Sequence, residues 1–147
     1  MQHLHKVGDQ LITTYFLKSI AEDICKHQQT QIVPYVYYVG LSSTAPNLDG
    51  TGVTEPDEEA GYARVAVLND ENVFANADSD GKVKNHTAIY FPESIKPWDG
   101  ITHYVIYDSP SEGNLLMYGA LNKAMDVPIK TIISIPIDGW SIQAKNQ

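Results

Sequence analysis

The sequence predicts an all-β domain, an antiparallel β-sandwich of jelly-roll-like type, preceded by one amphipathic α-helix. After residue 35 the chain contains about seven or eight short runs rich in β-branched and aromatic residues, separated by Pro, Gly, Asp and Ser, which is typical of strands joined by turns. Before that point, apolar residues recur every three or four positions, as on one face of a helix. The chain therefore divides into an N-terminal arm and helix, residues 1–34, and a β-sandwich domain, residues 35–147.

The composition indicates a folded, acidic protein. The 147 residues are 43% hydrophobic and 19% charged, with a net charge of −8, and this length suits one domain with a substantial core. A surface of this sign repels phosphate, so binding to nucleic acid or to an anionic membrane is disfavoured. No apolar run approaches the roughly 20 residues of a membrane span. The lone cysteine, Cys25, makes no intramolecular disulfide, and we expect folding in a cytoplasm.

The N-terminal helix is predicted over residues 9–27, with Asp9 as its N-cap. A helix of this length is marginal in water by itself, so its apolar stripe must be covered. Either the chain's own sheet covers the stripe, or a neighbouring copy or partner protein does. For the second case, the candidate subunit-interface residues are Ile12, Phe16 and Ile20.

The first long strand is predicted over residues 35–43, and a loop of residues 42–61 follows it. A loop of this length inside a small domain is usually functional or part of an interface. Its carboxylates Glu55, Asp57 and Glu58 are further subunit-interface candidates. They could also hold Ca²⁺, but they lack regular ligand spacing. A solvated loop or a subunit contact is the favoured interpretation.

The single arginine, Arg64, lies in the next predicted strand, residues 62–68. A structural role fits it best, as a forked ion pair with a carboxylate or as a donor to loop carbonyls.

The run Asn76, Asp78 and Asp80, followed by Gly81, matches the first half of a calcium-binding EF-hand loop. The Glu that closes such a loop would fall at Thr87, which cannot supply a bidentate carboxylate. These three residues are weak metal candidates, a turn between strands is favoured, and no cofactor is predicted.

A three-strand antiparallel meander is predicted over residues 87–91, 101–108 and 114–121. After it, residues 129–137 alternate between apolar and polar and lead into Asp138-Gly139, the strongest short hairpin signal in the chain. A two-residue turn there would place Ile137 opposite Trp140 and Ile135 opposite Ile142.

Five short motifs follow one another in the second part of the chain: LSSTAP at residues 41–46, GYARV at 61–65, NHTAIYFP at 85–92, WDGITH at 98–103 and GNLL at 113–116. In kind and order they resemble a family of small tailed-bacteriophage tail-fibre or minor structural proteins. That family often has Trp-Gly where this chain has Trp98-Asp99-Gly100. The resemblance implies a non-enzymatic virion component of the tail, neck (collar) or fibre-attachment region. Its partners would be other copies of itself and neighbouring virion proteins.

Two other functions are possible from the residues. A glycan-binding β-sandwich would recognise host carbohydrate through Trp98, Tyr104 or the tyrosines of residues 35–38. A cell-wall hydrolase would need an acid/base pair, which His86 or His103 could imitate with a nearby Asp such as Asp99 or Asp108. The usual nucleophile, phosphate-binding and metal motifs of enzymes are absent from the sequence, so it favours a protein without catalytic activity.

Overall fold

The structure, a computed structural model, describes residues 10–26 and 33–143 together with the backbone of residues 2–3. Within these residues the elements are β1 (Gln2–His3), β2 (Leu11–Ile12), α1 (Thr14–Lys26), β3 (Val36–Ser42), a 3-10 helix (Glu58–Ala60), β4 (Val65–Leu68), β5 (Lys82–Lys84), β6 (Ile89–Tyr90), β7 (Trp98–Tyr107), β8 (Leu115–Val127), β9 (Ile133–Ile135) and β10 (Ser141–Gln143). The predicted fold class, all-β with one helix, is confirmed.

The strands form three sheets. The largest has the order β2-β8-β7-β3-β4 and is antiparallel throughout. A second sheet has the order β1-β9-β6, with β1 and β9 parallel, and β10 pairs with β5 in a third. The pairing of β7 with β8 confirms the second and third strands of the predicted meander.

The first strand of that meander pairs differently from the prediction. β6 is hydrogen-bonded to β9, and β3 takes the place beside β7. The connection between β6 and β7 explains the change: Phe91 N donates to Ile133 O and Ser94 N donates to Thr131 O, each at 3.0 Å. These bonds hold the end of β6 in the layer of β9 before the chain turns back towards β7.

The main core lies between the five-stranded and three-stranded sheets, which gives a sandwich-like arrangement of two layers. Alternate residues of β3 and β7 project into it and are joined by both tryptophans and by buried residues of β6, β8 and β9: Tyr37, Val39, Leu41, Ile89, Trp98, Tyr104, Ile106, Met117, Ile133, Ile135 and Trp140. The opposite face of the large sheet is also buried, through Val105, Tyr107, Leu115 and Tyr118. Val53, from the loop after β3, packs on this second cluster.

The helix begins later than predicted. Thr13 O accepts from Leu17 N at 3.0 Å, and Thr13 Oγ1 accepts from Phe16 N at 3.4 Å, so Thr13 is the residue that caps α1. The same hydroxyl donates to Leu115 O at 2.6 Å, which ties the start of the helix to β8. The predicted cap, Asp9, lies outside the described residues.

The two residues before the cap, Leu11 and Ile12, were predicted as helix and instead form β2. They pair with Tyr118 and Met117 of β8 at the edge of the large sheet. Phe16 is only 4% exposed and lies in the main core, so the chain's own body covers this part of the helix.

The hairpin prediction around Asp138-Gly139 is wrong. A tight turn does form, with a φ of 63° at Asp138 and a hydrogen bond of 2.9 Å from Gly139 N to Pro136 O. However, β9 pairs with β1 and β6, whereas β10 pairs with β5. The two strands diverge because buried Asn85 is inserted between them. Its Nδ2 donates to Pro136 O at 3.0 Å, and its Oδ1 accepts from Trp140 N at 2.9 Å.

We expect Asn85→Ala to lower the free energy of unfolding by about 2–3 kcal/mol in urea denaturation, because it leaves the buried Trp140 N–H without its acceptor and removes one of the two donors to the Pro136 carbonyl. Asn72→Ala is the matched control, since Asn72 is exposed and its side chain bonds only its neighbour Asp70 at 3.2 Å. Equal stability of the two variants would contradict the role given to Asn85.

Candidate functional site

An open pocket of about 620 Å³ lies where the loop before β4 meets the turn between β7 and β8. It is lined by Glu55, Pro56, Glu58, Tyr62, Ala63, Arg64, Pro110, Ser111 and Glu112. Three of these are acidic and one is the chain's only arginine. The pocket is therefore the place where a binding or catalytic function has to be tested against geometry.

The loop that forms one wall of the pocket is ordered by its own hydrogen bonds. Ser43 N donates to Thr54 O at 2.9 Å, and Ser42 Oγ accepts from Thr54 N at 3.0 Å. Further along, Asp57 caps the 3-10 helix by accepting from Glu59 N at 3.2 Å, and Gly61 ends that helix with a φ of 84°. These contacts fix the position of Glu55 in front of β4.

Glu55 and Arg64 form a bidentate ion pair. Arg64 Nε donates to Glu55 Oε1 at 2.9 Å and Arg64 Nη2 donates to Glu55 Oε2 at 2.8 Å. Nη1 donates to the carbonyls of Ser109 and Glu112 at 2.9 and 2.8 Å, and the guanidinium lies 3.5 Å from the centre of the Tyr107 ring. The Arg64 side chain is 7% exposed and that of Glu55 is 23% exposed. This geometry confirms the forked structural role that the sequence predicts for Arg64.

Tyr62 completes this cluster. Its hydroxyl donates to Glu55 Oε1 at 2.6 Å and accepts from Leu41 N at 3.0 Å. Gly40 allows the approach, because a Cβ at this position would lie 2.5 Å from the Tyr62 hydroxyl and 2.8 Å from Glu55 Oε1. We call Glu55, Tyr62, Arg64 and Tyr107 the arginine clasp. It joins β3, β4, the loop before β4 and the turn after β7.

The electrostatics of the arginine clasp do not suit acid/base chemistry. Burial, followed by the charge and the hydrogen bond of Glu55, raises the pKa of Tyr62 far above its usual value. Burial opposes the charge of Arg64, but the hydrogen bond and charge of Glu55 outweigh it and raise the pKa of Arg64 above its usual value. Both groups keep their protons at neutral pH, whereas a general acid or base has to exchange one. The cluster is built to hold segments together.

The predicted interface residues lie in several different settings. Phe16 is in the core, while Ile12 and Ile20 are partly buried and pack against it. Glu55 belongs to the arginine clasp and Asp57 caps the 3-10 helix, whereas Glu58 is exposed at the mouth of the pocket. The structure does not bring these six residues together on one surface.

The run around Asn76, Asp78 and Asp80 is a turn, as the sequence favours. Asp78 Oδ1 accepts from Lys82 N and Asp80 N, each at 2.9 Å. The backbone hydrogen bond from Lys82 is the main reason that the pKa of Asp78 lies below its usual value. In the described part of the chain no three His, Cys, Asp or Glu side chains are grouped so that they could hold a metal ion.

Two of the aromatic residues proposed for glycan binding are inaccessible. Trp98 and Tyr104 are each 1% exposed. The Trp98 ring lies edge-on to Tyr62, with 5.5 Å between ring centres, and its Nε1 donates to Ala60 O at 3.0 Å. A sugar can stack only on an accessible ring face, so the assignment of these two residues as a glycan platform is wrong. Among the other candidates, the tyrosines of residues 35–38, Tyr35 is 74% exposed and Tyr37 is buried.

The two histidines considered for an acid/base pair, His86 and His103, contact neither Asp99 nor Asp108 through the hydrogen bonds that the described residues make. His86 Nε2 contacts Glu71 O at 2.8 Å, and His103 Nδ1 contacts Thr102 Oγ1 at 2.7 Å. Asp108 instead accepts from Asn114, from its backbone N at 2.8 Å and from its Nδ2 at 2.9 Å.

The described residues contain no helix with the length and apolar content that crossing a membrane requires.

The described residues form a two-layer β-body with one helix, and the ion pair of Arg64 and Glu55 joins its loops. In a comparison with known families, a family model matches residues 12–143, which is most of the chain, and it describes a phage fibre protein. The chain belongs to this family, described as podophage GP4 fiber I protein gp80. The resemblance that the five motifs carry is thereby confirmed. A search of curated proteins finds no match to the chain.

Proposed function

We propose that this protein is a non-enzymatic structural component of a tailed-phage virion, present in multiple symmetric copies in the tail, neck or fibre-attachment region. The observation that carries the proposal is membership of a phage fibre family over residues 12–143. The chain would be made in the bacterial host cytoplasm and would then bind other copies of itself and neighbouring virion proteins.

The arginine clasp supports this proposal because a repeated subunit has to present its contact surfaces in one fixed arrangement. Arg64 binds Glu55 in the loop before β4 and the carbonyls of Ser109 and Glu112 in the turn between β7 and β8. These bonds hold the loop and the turn together. Asp57 and Glu58 stay exposed on this fixed loop and remain candidates for contacts between subunits. Trp98 and Tyr104 are buried, so neither offers a ring face to a host glycan.

Mass spectrometry of density-purified particles from a phage that encodes this chain tests the proposal. We expect its peptides in intact particles, at an abundance of several copies per particle relative to a protein present once per particle. A non-structural phage protein made in the same infected cells is the control and should be removed by purification. If this chain is no more abundant in the purified particles than the non-structural control, a virion role is contradicted.

A further inference from the structure

Helix α1 carries a second apolar stripe, different from the one that packs on the body. Leu17 and Ile24 are 53% and 76% exposed, and Ala21 between them is exposed as well. Their spacing of four and three residues places them on one face of the helix. Phe16 and Ile20 face the core on the neighbouring side. We call Leu17, Ala21 and Ile24 the outer stripe.

The end of the helix that carries the outer stripe projects from the body. All residues from 21 to 26 are exposed. At the other end, exposed Leu48 adjoins the helix, because its carbonyl accepts from Thr14 N at 2.9 Å. A short helix with one half in solvent is only marginally stable, and contiguous exposed apolar side chains mark contact sites. The outer stripe therefore calls for a partner surface.

We propose that this surface is the outer stripe of a second copy of the same chain, so that helices of neighbouring subunits pack on each other. The inference rests on the proposed function and names the surface that assembly uses. The charge of the chain limits where two copies can meet. The chain as a whole carries −8, so two copies repel each other over most of their surfaces.

Helix α1 departs from that overall charge. It holds two lysines, Lys18 and Lys26, and two acidic residues, Glu22 and Asp23, so its side chains sum to zero. Lys18 and Glu22 border the outer stripe on the side away from the core, and in an antiparallel pair of helices Lys18 of each copy can lie beside Glu22 of the other. Ala21, at the centre of the stripe, leaves room for two helices to approach to about 8–10 Å. The contact is self-complementary, as a symmetric interface requires.

The surface differs from the one that the sequence suggests for the helix. Phe16 is buried in the chain's own core, and Ile12 and Ile20 pack against that core while remaining partly exposed. The sequence does not predict this surface, because Leu17 and Ala21 fall beside the predicted apolar stripe and not within it.

Sedimentation velocity of the purified full-length chain tests the inference through Ile24→Ser. We expect the wild-type chain to form an oligomer and the variant to raise its dissociation constant about tenfold or more, since an apolar side chain loses its buried partner. Ile137→Ser is the matched control, because Ile137 is 58% exposed and lies outside the helix. Circular dichroism and thermal unfolding should show that both variants remain folded.

Disulfide trapping supplies an independent reading. In a Cys25→Ser background, Ala21→Cys should form a covalent dimer under mild oxidation, because position 21 is the centre of the proposed contact. Glu22→Cys in the same background should not, since the next residue points about 100° away around the helix.

The outcomes separate this inference from the proposed function. A wild-type chain that stays monomeric, or a Ile24→Ser variant that assembles as tightly as Ile137→Ser, overturns the helix contact. Neither result changes whether the chain is found in particles. If the chain is found in virions although the helix contact has failed, the subunits must assemble through another surface. Absence of the chain from particles overturns the proposed function by itself.

Discussion

Replacing Arg64 by methionine is expected to lower the free energy of unfolding by about 3–5 kcal/mol, the range observed when one partner of a buried ion pair is removed. The change leaves the Glu55 carboxylate without its bidentate partner and removes both donors to the Ser109 and Glu112 carbonyls. Because Glu55 remains 23% exposed and keeps the Tyr62 hydroxyl, the lower part of the range is the more applicable. Urea denaturation followed by tryptophan fluorescence measures the effect.

Two variants control for charge and for the fork. Lys96→Met removes the other described ion pair, whose atoms are 3.5 Å apart and whose side chains are 62% and 80% exposed. Its cost should stay within about 1 kcal/mol. Arg64→Lys keeps the charge but cannot donate in two parallel directions, so its stability should fall between wild type and Arg64→Met. If Arg64→Met is no less stable than Lys96→Met, the arginine clasp does not hold the loop and the turn together.

Trp98→Ala is expected to lower the free energy of unfolding by about 3–5 kcal/mol, as for other large-to-small changes in a packed core. Trp98 is 1% exposed, and its loss opens a cavity against Tyr62 and removes one of the donors to the Ala60 carbonyl. Thermal unfolding of the purified chain should show a clearly lowered midpoint.

Tyr35→Ala is the control for Trp98→Ala, since Tyr35 is 74% exposed and should change stability by no more than about 0.5 kcal/mol. A Trp98→Ala chain as stable as Tyr35→Ala would mean that the tryptophan is not a core residue. Its assignment to the core, and with it the exclusion of a glycan platform at this position, would then fail.

Local patterns in the sequence were sufficient where the structure depends on neighbours along the chain. The pairing of β7 with β8 follows from two alternating runs joined by a short polar turn, and it is observed. Alternation does not identify the partner of a strand, however, because any edge with matching faces satisfies it. β6 therefore pairs with β9, guided by contacts of Phe91 and Ser94 that no local pattern encodes.

The failed hairpin has the same origin. Asp138-Gly139 forms the turn that its sequence favours, but Asn85, more than fifty residues earlier, bonds to both sides of it and separates the strands. At the helix start, Thr13 serves as the cap because its hydroxyl also reaches a carbonyl of β8. In both cases a buried polar side chain forms hydrogen bonds with backbone groups that are distant in the sequence. The residues around that side chain do not identify such partners.

The candidate site was predictable in kind but not in composition. A single arginine within a predicted strand indicates a forked bond to a carboxylate or to loop carbonyls, and Arg64, which directly precedes the observed β4, makes both. Which carboxylate it binds depends on how the preceding loop folds. The contributions of Tyr107 and Gly40 arise from the pairing of β3 with β7. A glycine within an otherwise alternating strand was the available signal for such a close approach.

A cryo-electron microscopy map of the intact particle, with this chain fitted into it, tests the central claim most directly. The claim predicts that the β-body fits density in the tail, neck or fibre-attachment region, in several copies related by rotational symmetry and touching one another. A particle in which the chain occupies no density, or in which its copies are isolated from each other, would contradict it.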